Sequence, residues 1–201
     1  MATIGLRDLY YAKITSEESA EAETYDKPER MAKAISAELS VEVAEAILYA
    51  DDGADQIAKE FISGELTLNV NDLTSEVLAD LLGQQTDGDN VIYAAEKDSA
   101  PYVAVGFRAK KANGQYKYLW LYKVKFGVPS ESYQTKGESI EFTTPEITGK
   151  FVKRNKDGNW KSEFVGTEDS PTATAWFTTV REKKMEMSMA SAAATAKKSS
   201  L

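Results

Sequence analysis

The sequence predicts a mainly β chain with one or two flanking α-helices, an α+β class, and three observations carry that prediction. Hydrophobicity alternates with a period of two through most of Lys33–Asp72, as a strand with one buried face requires. Asn113-Gly114, the strongest short hairpin signal, sits between two further alternating runs. Helix punctuation is clearest over Leu73–Gly83 and recurs in the stretch opened by Ser170-Pro171.

Gly5–Ile14 reads as the first strand, and Thr15–Lys27, acidic and without apolar pattern, reads as an exposed connection closed by Pro28. A long hairpin follows. Its first arm puts Ile35, Ala37, Leu39, Val41, Val43, Ile47 and Tyr49 on one face and Ser36, Glu38, Ser40 and Glu42 on the other. Asp51-Asp52-Gly53-Ala54 turns the chain, and the second arm buries Ile62, Leu66, Leu68 and Val70. A helix over Val41–Ala50, capped by Ser40, competes with the strand, although Val43 stands where a capping box needs Glu or Gln. Adjacent Phe61 and Ile62 break the alternation, which a bulge or a sheet corner explains.

Leu73–Gly83 has the marks of a helix: Thr74 or Ser75 as cap, Glu76 in the first turn, Val77, Leu78, Leu81 and Leu82 as an apolar stripe, and Gly83 as stop. The second hairpin pairs Tyr102–Lys111 with Tyr116–Val128. Its second arm sets Tyr116, Tyr118, Trp120, Tyr122, Val124 and Phe126 opposite Lys117, Leu119, Leu121, Lys123 and Lys125. Aromatic residues at strand spacing read first as core. The lysines, with Lys110 and Lys111, read as a protected edge or a subunit contact. Glu138–Ile147 is a further strand, and Phe151–Lys153 pairs with Trp160–Phe164 across an Asn/Asp/Gly turn. Ser170 caps a second helix with Ala175, Trp176, Phe177 and Val180 as its apolar face. Residues 1–182 form the domain; 183–201 are a low-complexity tail, disordered alone or ordered by a neighbour.

A chain of 201 residues with 42% hydrophobic content supports one domain with an ordinary core. The sequence pI of about 4.8 argues against the basic footprint of a nucleic-acid binder. No cysteine and no histidine exclude disulfides, thiolate or imidazole metal sites, and triads built on either residue. The first residues, MATIGLRD, lack a signal pattern, and no apolar run reaches membrane-span length, so folding in a cytoplasm is expected. Charge is concentrated in one place. Lys33–Asp72 holds nine acidic and two basic residues, a net −7 of the chain's −8.

The acidic residues show no spacing of a catalytic carboxylate pair. Asp51-Asp52-Gly53-Ala54-Asp55 opens like a calcium loop, but Ile62 occupies the closing position that needs Glu, and Asp87-Gly88-Asp89-Asn90 is equally turn-like. Neither a phosphate loop nor a GxGxxG fingerprint occurs. No enzyme and no cofactor are expected.

The runs AISAELSVEVAEAILYADDGADQIAKEF, SGELTLNVNDL, EVLADLLG, PYVAVGFRAKK and YLWLYKVKFGVPSESYQTKGESIEFTTP resemble the major tail proteins of long-tailed, non-contractile bacteriophages, phrase by phrase over about Ala2–Val180. The tail after Arg181 does not match that pattern. The resemblance implies the tail-tube fold, two packed antiparallel sheets forming a sandwich or partial barrel, and subunits in hexameric rings stacked into a tube. It implies as partners the tape measure protein in the lumen, tail terminator and distal tail proteins at the ends, tail assembly chaperones, and double-stranded DNA passing without specific binding. It places the protein in the virion, made in the host cytoplasm, with no catalytic residues to carry over. Ser36, Glu38, Ser40, Glu42, Glu65 and Thr67 are expected to face the lumen, where an acidic wall repels phosphate; the alternative is that these acids form a solvated outer face. Asp51, Asp52, Asp55, Met185, Met187 and Met189 are expected to reach the next ring. The alternatives are the inner tube of a contractile or type VI-like device, similar in fold, and a carbohydrate-binding β-domain using exposed Trp and Tyr.

Overall fold

In chain order the elements are β1 (Thr3–Lys13), β2 (Glu29–Ala32), β3 (Ala34–Ala50), β4 (Gly53–Val70), α1 (Ser75–Leu82), β5 (Gln85–Thr86), β6 (Ile92–Tyr93), β7 (Val103–Lys111), β8 (Tyr116–Phe126), β9 (Glu146–Phe151), β10 (Lys161–Gly166) and α2 (Pro171–Thr174). They are seen in a computed structural model that describes residues 2–15, 23–50, 53–87, 89, 91–131, 135 and 143–183. Among these residues there are two antiparallel sheets. One has the order β2-β1-β7-β8-β9-β4-β3 with β10 also on β8, and the other is the pair β5-β6. The chain is mostly β with two helices, as its alternation requires.

One face of the large sheet turns inward on a single core drawn from β1, β2, β4, β7, β8 and β9, with Leu9, Leu66, Leu68, Val103, Leu121, Ile147 and Phe151 fully buried. α1 closes over it through Val77 and Leu81. Thr74 caps that helix by accepting from the Val77 N–H, and Gly83 ends it with a left-handed backbone, φ 68°. The ends of the sheet approach each other where β1 passes β3. The large sheet therefore curls on itself, and the second sheet is only a short satellite.

β8 is buried on both faces. Leu119 and Leu121 belong to the main core, while Tyr116, Tyr118, Trp120 and Tyr122 face a second cluster with Ala173, Trp176 and Val180 from the C-terminal segment. Alternation predicts Val124 and Phe126 on that aromatic face. They lie instead in the main core. The register with β7 slips between Val103↔Val124 and Val105↔Leu121, leaving an extra residue on β8 that inverts the phase. Nor is β8 a lysine-protected edge, because it pairs with β7, β9 and β10. Lys123 is buried on Glu23, and Lys117 pairs with Glu163.

Three further expectations are corrected. The strand expected over Glu138–Ile147 begins at Glu146, after Pro145, which has no N–H for a ladder; 138–142 lie outside the described residues. Phe151–Lys153 and Trp160–Phe164 do not form a hairpin: β9 and β10 run one after the other along the same side of β8. Their junction is held by the Arg154 N–H donating to the Asn159 carbonyl at 3.0 Å and by Phe151 stacked on Trp160. α2 starts at its Ser170 cap as expected, but Ala173 rather than Ala175 is the buried alanine.

Candidate functional site

The long hairpin forms in the expected place, and Val41–Ala50 is strand throughout. Cross-strand partners in an antiparallel ladder share a face. Glu38 stands opposite Thr67, Ser40 opposite Glu65, and Glu42 opposite Ser63, so the six polar residues singled out in the sequence, Ser36, Glu38, Ser40, Glu42, Glu65 and Thr67, share one face. All are exposed except the half-buried Thr67. The Ser63 hydroxyl donates to Glu42 at 3.0 Å.

The same rows run on into strands that alternation did not connect to this face. β9 sets Glu146 beside Asn69, Thr148 beside Thr67 and Lys150 beside Glu65; β8 sets Lys125 beside Lys150. Five carboxylates, Glu38, Glu42, Glu60, Glu65 and Glu146, therefore share the sheet face with two ammonium groups, Lys125 and Lys150. The only sequence signal for the added residues is their own alternation. Which strands they adjoin depends on pairing over long separations.

On the opposite face the expected burial stops partway. Ala37 and Leu39 pack against the core, but Ile35, Val41, Val43 and Ile47 are 54%, 42%, 48% and 42% exposed. β9 supplies the reason for Val43 and Ile47: it ends at Phe151, opposite Gly64, so beyond that row the hairpin continues as a two-stranded ribbon with no further strand beside it among the described residues. Ile35 lies at the other end of β3, where the register shifts between Ala34 and Ser36. Ile62, expected inside, is 50% exposed. Glu42↔Ser63 is followed by Val43↔Phe61, which leaves Ile62 as the bulge that the Phe61-Ile62 step announced. Phe61 anchors the root of the ribbon, stacked on Trp160 at 4.8 Å and on Phe151 at 6.0 Å.

Of the residues expected to reach a neighbouring ring, Asp51, Asp52, Met185, Met187 and Met189 lie outside the described residues, as does the side chain of Asp55, whose backbone belongs to β4. Asp87 is a turn carboxylate, accepting from the Asp89 and Val91 N–H groups at 3.0 Å and from the Tyr93 hydroxyl at 2.9 Å. An exposed tryptophan platform for sugars is not formed. Trp120 and Trp176 are 0% and 2% exposed, and half-buried Trp160 packs against both Phe61 and Phe151, which also stack on each other.

A second polar cluster went unseen in the sequence. Glu23, 1% exposed, accepts from Lys123 at 3.0 Å and from the Lys156 N–H at 3.2 Å. Arg154, also 1% exposed, holds Asp157 and reaches Glu182 at 3.4 Å, with its guanidinium 4.0 Å from the Tyr122 ring centroid. The Tyr122 hydroxyl donates to the Arg181 carbonyl at 2.7 Å. These contacts fasten the end of the acidic connection and the C-terminal segment to the middle of β8. No protein-family model matches the chain, and no curated protein matches its sequence.

Proposed function

We propose that the chain is a structural virion protein, the repeating subunit of a phage tail tube, in which hexameric rings stack into a conduit for DNA. The observation that carries this reading is the hairpin beyond Gly64, a two-stranded ribbon with no covering layer among the described residues. Two strands alone are marginal in water. This ribbon also leaves Val41, Val43 and Ile47 exposed on one face, and the 17-residue β3 is a free edge of the large sheet. A long, flat, partly apolar edge is an aggregation hazard unless something covers it. A closed ring of identical subunits covers every such edge in the same way. The acidic lane then faces the lumen, where carboxylates keep phosphate from adhering while DNA moves past. The resemblance in sequence points the same way.

The test is negative-stain microscopy of the purified full-length protein at rising concentration. Six-fold rings or tubes are the expected outcome. A protein that stays monomeric at every concentration, and in the presence of polymerisation-promoting salt, sinks the reading.

A further inference from the structure

We propose that a cation-lined cavity at the root of the long hairpin is the socket for the acidic hairpin turn of a second copy of this chain, the contact that stacks one layer of subunits on the next. The cavity, of about 310 Å³, gathers Arg7, Arg30, Lys33 and Arg108 around Asp8. Arg7 and Arg108 are direct cross-strand partners, an arrangement in which like charges repel. A bulge after Arg7 puts Asp8 at φ 55°, a left-handed backbone unusual for a residue other than glycine. That turn brings the Asp8 carboxylate to Arg108 at 2.5 Å and to Arg30 at 3.7 Å, and Glu168 takes Arg108 from the other side at 2.8 Å. Among the described residues, Arg7 and Lys33 have no ion-pair partner. Four cations against Asp8 and Glu168 leave a surplus of two positive charges, in a chain whose net charge is −8.

The occupant follows from where the opposite charge lies. Asp51 and Asp52 stand between β3 and β4, and Asp55 is the third residue of β4. β3 begins at Ala34, beside Lys33 of the cavity, and is 17 residues long. At strand rise the turn is about 55 Å from the root, so a subunit's own turn does not reach its own socket. Head-to-tail stacking of two copies brings the ends together, and guanidinium forks suit carboxylates in pairs. The socket rests on the tube-subunit reading for its purpose, but its chemistry is tested separately.

Full-length wild type, Arg7→Glu/Lys33→Glu, Asp51→Lys/Asp52→Lys and the combined variant are compared by two readouts. In the first, calorimetry follows binding of the synthetic peptide LYADDGADQIA, the sequence Leu48–Ala58, in about 50 mM NaCl, where screening is weak. The peptide is expected to bind wild type and to lose affinity by about tenfold or more on the Arg7/Lys33 reversal. In the second, microscopy scores stacking: either reversal alone is expected to leave rings that do not stack, and the combined variant to stack again. Equal peptide binding by wild type and reversal, no binding to wild type, or tubes of normal length from the Arg7/Lys33 reversal would overturn the proposal. If that reversal does not fold, Arg7→Gln/Lys33→Gln is read in the same way. Charge-dependent peptide binding by a protein that forms neither rings nor tubes keeps the socket and sinks the tube reading.

Discussion

At the scale of single residues, three glycines in the large sheet are set by space. Gly106 lies directly across from Trp120, where an added Cβ would meet the indole at 2.7 Å; Gly64 faces Phe151 and Gly149 faces Phe126 in the same manner. Gly106→Ala is expected to cost about 1–3 kcal/mol by overpacking. The loss should appear as a lower urea midpoint with an unchanged slope, and an unmoved midpoint would show that the indole yields freely. Buried charge is the other residue-scale feature. Glu23→Gln keeps the shape but strands Lys123, and about 3 kcal/mol should be lost, with Glu23→Gln/Lys123→Met recovering part of it. Acid sensitivity follows from the same cluster. Arg154 beside Asp157 lowers its carboxyl from 3.8 to about 2. For Glu23, burial pushes the carboxyl up, but Lys123 and the N–H groups of Lys156 and Asn155 outweigh it and hold it below the ordinary value. Both folded values are depressed, so this stabilisation is present above the ordinary carboxylate pKa and drains as pH falls from about 4 toward 2. The urea midpoint should fall over that interval, and Asp157→Asn should flatten the Asp157 part of the fall.

At the scale of elements, what the sequence makes legible is local. The Asn113-Gly114 hairpin, the Thr74-to-Gly83 helix and the strand-bulge-strand course of Lys33–Asp72 each depend on residues a few positions apart, and each is found. The placing of β9 and β10 in tandem beside β8 depends on pairings with no local signal. The phase slip at β8 hides the same way, since Tyr122 and Lys123 look regular in sequence and only the count against β7 exposes the extra residue. Alternation overstates burial on the hairpin, because period two identifies a face and not what covers it. That distinction gives an element-scale prediction. Val43→Lys/Ile47→Lys alters residues already 48% and 42% exposed, so the melting temperature of the isolated subunit should move by no more than a few degrees, about 0.5 kcal/mol for each surface change. Ring formation should be lost. Rings of wild-type abundance from this variant would show that the exposed apolar face is not a subunit contact.

At the scale of the whole molecule, the proposed tube would place this acidic face beside DNA, so its charge balance becomes the testable quantity. The polar lane is less uniform than its first strand suggests, because Lys150 and Lys125 interrupt the row that begins at Ser40 and Glu65. With Glu38, Glu42, Glu60, Glu65 and Glu146 against those two lysines, these residues give the face a net −3 per subunit, enough to repel phosphate. Glu38→Lys/Glu42→Lys moves that balance by four charges, from −3 to +1. Both side chains are exposed and neither makes an ion pair among the described residues, so the subunit should fold and assemble as before. DNA should then release counterions on contact and adhere, so ejection should slow at low salt and recover as salt is raised. Lys125→Gln/Lys150→Gln is the matched control: it moves the balance to −5, and ejection should not slow. Ejection of the Glu38/Glu42 variant at the normal rate at every salt concentration, from tubes of normal length, would mean that this face does not look into the bore.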